Sequence, residues 1–546
     1  VSVAVAVLLP LVTALLASQR GVAASVGRRL APFAAAALLL PLASGERVRW
    51  SWALLGLDLG VDTWGGPFVV LTAVAWGLAA WFAAERVSGD TRRFWLGWSL
   101  SLWGMTLVLL SQSLVSFYLG YVAVSLAAYL MIVHARTEAA WRAGRVYLLL
   151  AFAGEAAIVS GVLILAGFYG NVELALLATP EFAAGTGAAR WWLLAGFAVK
   201  LGIMPLHVWL PLAHPIAPVP ASAILSGVIV KAGALGWLKL APSAGLDVSA
   251  AAPALVALGL VTAFAAVAIG VTQRGIKTAL AYSTISQMGL LLVAYAALTL
   301  QPSDQRALAV IGLFALHHGL TKAALFLACG CAPAASALRR ALLGLSTLSL
   351  AAAPLTSGYL AKVWLKRSLS AGIELGALPE LVYPLVTLTS AATALLMWRV
   401  WRLAHDQRDD AASALHPAWP LLALSAALLP WWWGLRHGLA VGLNASALWD
   451  AAWPLALAAA LVLAWRTVGR PGLRLPEGDL VVLFERFARV GRPAPLEVRL
   501  PARRTPRPRQ SLRRLVTLVE RSARELPAVG SLLLLAALAT WWALRG

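Results

Sequence analysis

Residues 199–233 read VKLGIMPLHVWLPLAHPIAPVPASAILSGVIVKAG, and the reading of this stretch decides the fold. Two apolar helical runs flank a proline-rich break, and Lys200, His207, His214 and Lys231 stand inside the apolar runs. Pro205, Pro211, Pro215, Pro218 and Pro220 remove backbone donors and interrupt the helix. Charge within a membrane span is costly and marks an ion or proton pathway. Non-helical backbone survives at membrane depth only where protein or water satisfies it. The stretch therefore reads as a broken helix lined with titratable groups. A plainer reading is a Pro-rich loop with two snorkelling helix-end lysines. It fits less well, because both lysines lie well inside apolar runs.

Outward from this stretch the chain stays apolar. It is 61% hydrophobic and 12% charged, with mean hydropathy +0.80, where a soluble protein carries about 25% charged residues. Apolar runs of span length recur throughout, which predicts an all-α polytopic membrane protein. A membrane β-barrel would show short alternating segments instead. Spans are expected at roughly 3–17, 30–44, 66–83, 94–110, 113–133, 144–168, 190–210 (broken), 220–240, 251–272, 278–299, 307–328, 341–368 (broken), 383–400, 418–434, 451–465 and 528–544. That gives about fourteen to sixteen helices, allowing for lateral or re-entrant ones. The first run lacks the basic leader of a cleavable signal peptide, since Arg20, Arg28 and Arg29 follow it.

Threading the spans alternately sorts the charges. One set of loops holds Arg86, Arg92, Arg93, Arg136, Arg142, Arg274, Arg339, Arg340 and Arg402. The other is sparse in basic residues and carries Asp58, Asp62, Glu173, Asp247, Glu374 and Asp450. By the positive-inside rule the first set is cytoplasmic and the N-terminus faces outward. A bacterial inner membrane is the expected location. The net charge of +21 is thus a loop and tail property, and nucleic-acid binding is not expected. Residues 466–525 carry fifteen arginines and no lysine. Within them LVVLFERFARV (480–490) and SLRRLVTLVERSARE (511–525) are amphipathic, suited to anionic lipid or a partner subunit. A merely solvated basic linker fits them equally. Cys329 and Cys331 read as free buried thiols.

Only seven of the 44 basic residues are lysine: Lys200, Lys231, Lys239, Lys277, Lys322, Lys362 and Lys366. Arginine keeps its proton in proteins, whereas a buried lysine can release one. The lysines fall mostly in spans, where a proton would have to move. Among 23 acids, only Glu155 lies deep in an apolar span. At about 1.5 Å per residue, Glu155, Lys200 and Lys231 each lie roughly 15 Å from a span end, near the midplane of a core of about 30 Å. His317 and His318 fall at similar depth. Glu155 is expected to pair with Lys200, Lys231 to act as the central relay, His317 and His318 to extend the row, and Lys362 to end it. His207, His214 and Lys322 are accessory, and His318 and Lys322 share a helix face. The bland alternatives are a protonated core glutamate and hydrogen-bonded structural histidines. No phosphate loop, nucleophile triad or metal-ligand cluster is present in the sequence, and no cofactor is expected.

Four ordered motifs carry a resemblance: MPLHVWLPLAHPIAPVPASAILSGVIVKAG, IKTALAYSTISQMG, HHGLTKAALFLACG and PLTSGYLAK. They resemble the proton-conducting, antiporter-like membrane subunits of respiratory complex I, Mrp antiporters and membrane hydrogenases, in wording nearest the hydrogenase-4 component B-like branch. The resemblance implies two inverted five-helix repeats, here 94–240 and 251–400, each with a broken helix. These follow N-terminal helices in 1–93 and precede C-terminal helices in 401–465, the basic segment 466–527 and a last helix in 528–546. It implies a charge relay at Lys200, Lys231, His317 or His318, and Lys362, and partner subunits coupled to redox chemistry or cation exchange. The family usually has a glutamate in the fifth span, where this chain has Val122. Glu155, one span later, is the expected replacement.

The resulting expectation is a proton-translocating subunit without a redox cofactor of its own. The rivals are a Na⁺/H⁺ antiporter module, an energising subunit for uptake of a solute such as inorganic carbon, and a scaffold that has lost conduction.

Overall fold

The computed structural model describes residues 1–53, 56–62, 65–178, 187–240, 249–300, 305–332, 334–371, 378–406, 414–442 and 444–468, with two short pieces at 475–476 and 481–482. The basic segment expected beyond 466 and the span expected at 528–544 lie almost wholly outside these residues.

Helices α1 (Ser2–Ala17), α2 (Gly21–Ala36) and α3 (Leu39–Ser44) lead into a hairpin, β1 (Val48–Trp50) and β2 (Leu57–Leu59), and then α4 (Gly66–Arg86). Next come α5 (Thr91–Leu110), α6 (Leu114–Ile132), α7 (Glu138–Tyr169), α8 (Gly187–Leu201), α9 (Trp209–Ile216), α10 (Val219–Ile224) and α11 (Lys231–Leu240). A second stretch has α12 (Ala252–Gly270), α13 (Ile276–Leu300), α14 (Gln305–Ala328), α15 (Ala337–Leu350), α16 (Ser357–Ala371) and α17 (Leu378–Asp406). Helices α18 (Ala418–Arg436) and α19 (Ala445–Val468) follow. Among the described residues, eleven helices are long and apolar enough to cross a membrane.

Local chemistry explains the ends. Asp90, Ser113, Thr137 and Ser336 each cap a helix by accepting from the backbone amide three residues on, at the starts of α5, α6, α7 and α15. Both stretches open alike. Helices α5 and α6 cross where Gly104 meets Gly120, and α12 and α13 cross where Gly259 meets Gly289. A Cβ on Gly120 would stand 2.8 Å from the Gly104 carbonyl oxygen, and one on Gly259 would stand 2.6 Å from that of Gly289. Small residues of this kind let membrane helices approach backbone to backbone. Each stretch then has a long third helix, a fourth broken in two, and a fifth.

The loops gather at two ends, as the alternating thread requires. At the arginine-rich end, Arg92 donates to the Ser18 carbonyl at 2.6 Å, Arg136 pairs with Asp90, and Arg86 donates to the Ala414 carbonyl at 2.7 Å. Arg399 donates to the Gln273 carbonyl at 2.7 Å. At the acidic end, Arg47 and Arg49 reach Asp58 Oδ2 at 2.7 and 2.9 Å, and Arg47 also reaches Glu173 at 2.9 Å. The arginines hold the Asp58 carboxyl below the usual carboxylate range. The hairpin carrying this cluster was not foreseen, because three-residue strands leave no periodicity to read.

Candidate functional site

The first break holds Pro205, whereas Pro211 and Pro215 lie inside α9 and Pro220 in the first turn of α10, so those three, contrary to expectation, do not interrupt the helix. Helix α8 ends at Leu201, Gly202 takes φ +71°, and α9 begins at Trp209. The indole Nε1 of Trp209 donates to the Val199 carbonyl at 2.9 Å, so a carbonyl freed by the break has a partner. Lys200 therefore stands in the last turn of a half-helix, where the macrodipole favours a cation. Its Nζ donates to Ser125 Oγ on α6 at 2.6 Å, and Ser125 Oγ donates to Glu155 Oε1 on α7 at 2.5 Å. Glu155 and Lys200 are thus joined through one hydroxyl rather than by direct contact. Ser125 lies one turn beyond Val122 on the same helix. Lys200 also lies 5.0 Å from the Tyr121 ring centre, a cation–π distance. A cavity with room for about one water lies here, lined by Tyr121, Tyr147, Glu155, Lys200 and Trp209. Gly154 against Gly196 brings α7 and α8 close enough for this geometry.

Lys231 owes its setting to a π turn. Between α10 and α11, residues 225–229 form π-helix, and the Val230 amide bonds the Leu225 carbonyl, five residues back, at 3.2 Å. This diverts the amide that an α-helix would give to the Ser226 carbonyl. Lys231 Nζ donates to that carbonyl at 2.5 Å. The Ser226 hydroxyl lies 2.7 Å from Thr284 Oγ1 on α13. Gly227 packs against Gly319 of α14, which carries His318 up to the π turn. His318 is within electrostatic range of Lys231, Lys322 and His317. Neither of its ring nitrogens has a hydrogen-bond partner among the described residues.

The second break shapes the far end of the row. After α15, Ala352 and Leu355 take φ +61° and +67°, and α16 begins at Ser357. His317 Nδ1 lies 2.9 Å from Ser357 Oγ, which donates to the Ala426 carbonyl at 2.7 Å. Lys231 and Lys362 both act electrostatically on His317. Lys362 Nζ donates to Thr389 Oγ1 at 2.6 Å. One turn on, Lys366 pairs with Asp450 Oδ2 at 2.5 Å, and Tyr383 donates to the same oxygen at 3.3 Å. The Asp450 side chain is about a third exposed (32%).

The accessory residues fall out differently. His207 is buried in the break itself and His214 in α9, stacked on Phe326 at 4.7 Å. Lys322 donates to the Leu280 carbonyl and to Ser283 Oγ at 2.5 and 2.7 Å. Cys331 is buried and Cys329 half-buried, both free. The lysine pattern has an exception. Lys239 pairs with Asp62 at 2.8 Å and donates to the carbonyls of Val108, Leu109 and Ser111 at 3.2, 3.0 and 2.9 Å. It caps the C-terminal end of α5 and is a structural cation. Sequence reasoning missed the hydroxyls, the π turn and the Lys366–Asp450 pair. The signal available for the first was a polar residue within a uniformly apolar run.

Residues 111–378 match the model of the NADH:quinone oxidoreductase/Mrp antiporter transmembrane family. The chain is 34% identical over 219 residues to hydrogenase-4 component B of Escherichia coli, covering 38% of this chain and 32% of that protein. It is 32% identical over 292 residues to NAD(P)H-quinone oxidoreductase chain 4 of Microcystis aeruginosa, covering 52% of each. The matches thus take in about a third to a half of these relatives' lengths. The fold resembles a chain of the Mrp complex from Dietzia sp. (TM-score 0.73, 20% identity, 96% of this chain and 62% of that one). It also resembles a chain of the membrane-bound sulfane sulfur reductase, an archaeal respiratory membrane complex (TM-score 0.70, 20% identity, 97% of this chain and 96% of that one). Over residues 111–378, just under half of its length, the chain is thus similar to the NADH:quinone oxidoreductase/Mrp antiporter transmembrane family.

Proposed function

We propose that the chain is a proton-translocating subunit of a multisubunit membrane complex. Protons would move laterally along Glu155, Lys200, Lys231, His318, His317 and Lys362, reaching the acidic end through Lys366 and Asp450. The observation that carries this reading is the unbroken set of electrostatic neighbours from Lys231 through His318 and His317 to Lys362 and Lys366, which joins the two five-helix stretches. Buried polar atoms along the row without hydrogen-bond partners among the described residues, such as Glu155 Oε2, Tyr121 Oη and both His318 nitrogens, call for internal water. Water between titratable groups gives protons a path.

In this reading Glu155 replaces the carboxylate absent at Val122, with Ser125 passing its influence to Lys200. An odd number of crossings inverts the second stretch relative to the first, and the arginine-rich end faces the cytoplasm. Coupling runs through charge: an event in a partner subunit that disturbs the Glu155–Lys200 pair redistributes protons along the row. Sodium exchange, whether for antiport or to energise solute uptake, is the second reading. It would need several oxygen ligands around one ion. Glu155 is the one buried carboxylate described in the spans, and Lys200 already shares its serine, so protons are favoured.

The test is reconstitution of the assembled complex in liposomes with an internal pH dye. Proton flux that persists without sodium is expected. Strict sodium dependence would favour exchange, and absence of flux in an intact complex would favour a scaffold.

A further inference from the structure

A groove of about 840 Å³ opens between α2 and α4 and shares no lining residue with the proton row. Its walls are apolar along most of their length, with Phe33, Leu39, Val74 and Leu78. Polarity is confined to the arginine-rich end, where Ser25, Arg28, Arg29 and Glu85 line it beside Trp81. The Glu85 carboxylate is already engaged, accepting from Trp81 Nε1 at 3.0 Å and lying 3.2 Å from His416 Nε2. Arg28 and Arg29 have no hydrogen bond or ion pair among the described residues. The groove's unbalanced charge is therefore positive, and it sits at one end.

The length of the groove narrows the occupant. Along α4 the lining runs from Ala73 to Glu85, about 18 Å at the helical rise. Half of a hydrocarbon core of about 30 Å is roughly 15 Å. A groove of this length would cross one leaflet and emerge at the headgroup level, where the amphipathic ring of Trp81 is suited to lie. An amphiphile with one anionic end and one apolar tail matches this one-ended polarity. A partner helix would present polar backbone ends and mixed side chains along the same length.

We propose that this groove binds an anionic phospholipid, with its phosphate held by Arg28 and Arg29 and an acyl chain lying along α4. The site is independent of conduction. A basic side chain near an anionic headgroup contributes roughly a fivefold preference, so the pair should give about a twentyfold one.

The test uses the full chain in vesicles of phosphatidylcholine containing a minority of phosphatidylglycerol. Either lipid carries a photoreactive diazirine on its tail, and crosslinked peptides are mapped by mass spectrometry. Phosphatidylglycerol should label the peptides around Phe33 and Leu78 at least tenfold more than phosphatidylcholine. The preference should vanish in R28Q/R29Q and largely survive in R28K/R29K, which keeps the charge. Equal labelling by the two lipids, or a preference unchanged in R28Q/R29Q, would overturn the proposal. So would loss of a co-purifying partner subunit from R28Q/R29Q with lipid labelling intact, which would assign the arginines to a protein contact.

Discussion

In the first five-helix stretch an acid and a base, Glu155 and Lys200, are held on either side of one serine hydroxyl, with Lys231 beyond them at the join. In the second, His317 and Lys362 stand on hydroxyls of Ser357 and Thr389. The buried acids described in the whole chain are Glu155 and Asp58, and neither lies in the second stretch. Two stretches with matching helix order and matching glycine crossings therefore differ in chemistry. An acid–base pair can trap or release a charge when its surroundings change, whereas a row of bases can only pass one on. The second stretch gains its carboxylate at the surface, where Asp450 meets Lys366. In the proposed function the first stretch would gate charge, and the second would relay and release it.

The strongest way to break this comparison is at the join. Lys231→Met removes the amine that the π turn holds between the stretches. It should lower proton flux of the assembled complex by about a hundredfold or more, the scale of a lost proton-transfer group, with assembly checked by native electrophoresis. Flux near wild type would mean that the two stretches work separately.

The release end comes next. Asp450→Asn should slow flux by roughly ten- to hundredfold, the scale of one hydrogen bond to a charged group, and Asp450→Glu should recover most of it. If Asp450→Asn conducts normally, protons leave Lys362 by another route. Ser125→Ala is expected to cost less, about tenfold, because water can enter the space the hydroxyl leaves. A separation of Glu155 from Lys200 without loss of flux would show that the serine is packing alone.

How far the sequence carried the argument depends on the kind of residue. The spans and both breaks were legible because hydropathy and proline act locally, and the lysines stood out against an arginine-rich background. Ser125 was not legible, since a serine in an apolar run reads equally as a small packing residue. The π turn at 225–229 has no composition of its own. Lys366 and Asp450 are 84 residues apart, so only the fold brings them together. Lys239 shows the converse: it is one of the seven lysines set apart from the arginines, and it caps α5.

The smallest expected effect lies outside both stretches. Asp58→Asn should lower stability by about 1–2 kcal/mol, discounted for the exposure of its arginine partners, and leave flux unchanged. The folded-state pKa of Asp58 lies below its unfolded value. Its contribution is therefore present above about pH 4 and lost as pH falls through the folded pKa. Thermal melts of wild type and Asp58→Asn should converge at low pH. Melts that stay apart there would remove the carboxylate from the account of the hairpin.

The proposed function rests on Glu155 standing in for the carboxylate that the resemblance implies at Val122. It is tested most directly by proton flux through the reconstituted complex carrying Glu155→Gln, alone and with Val122→Glu. The account predicts that the single variant loses flux and that the double variant regains a measurable part of it. Undiminished flux with Glu155→Gln would contradict it.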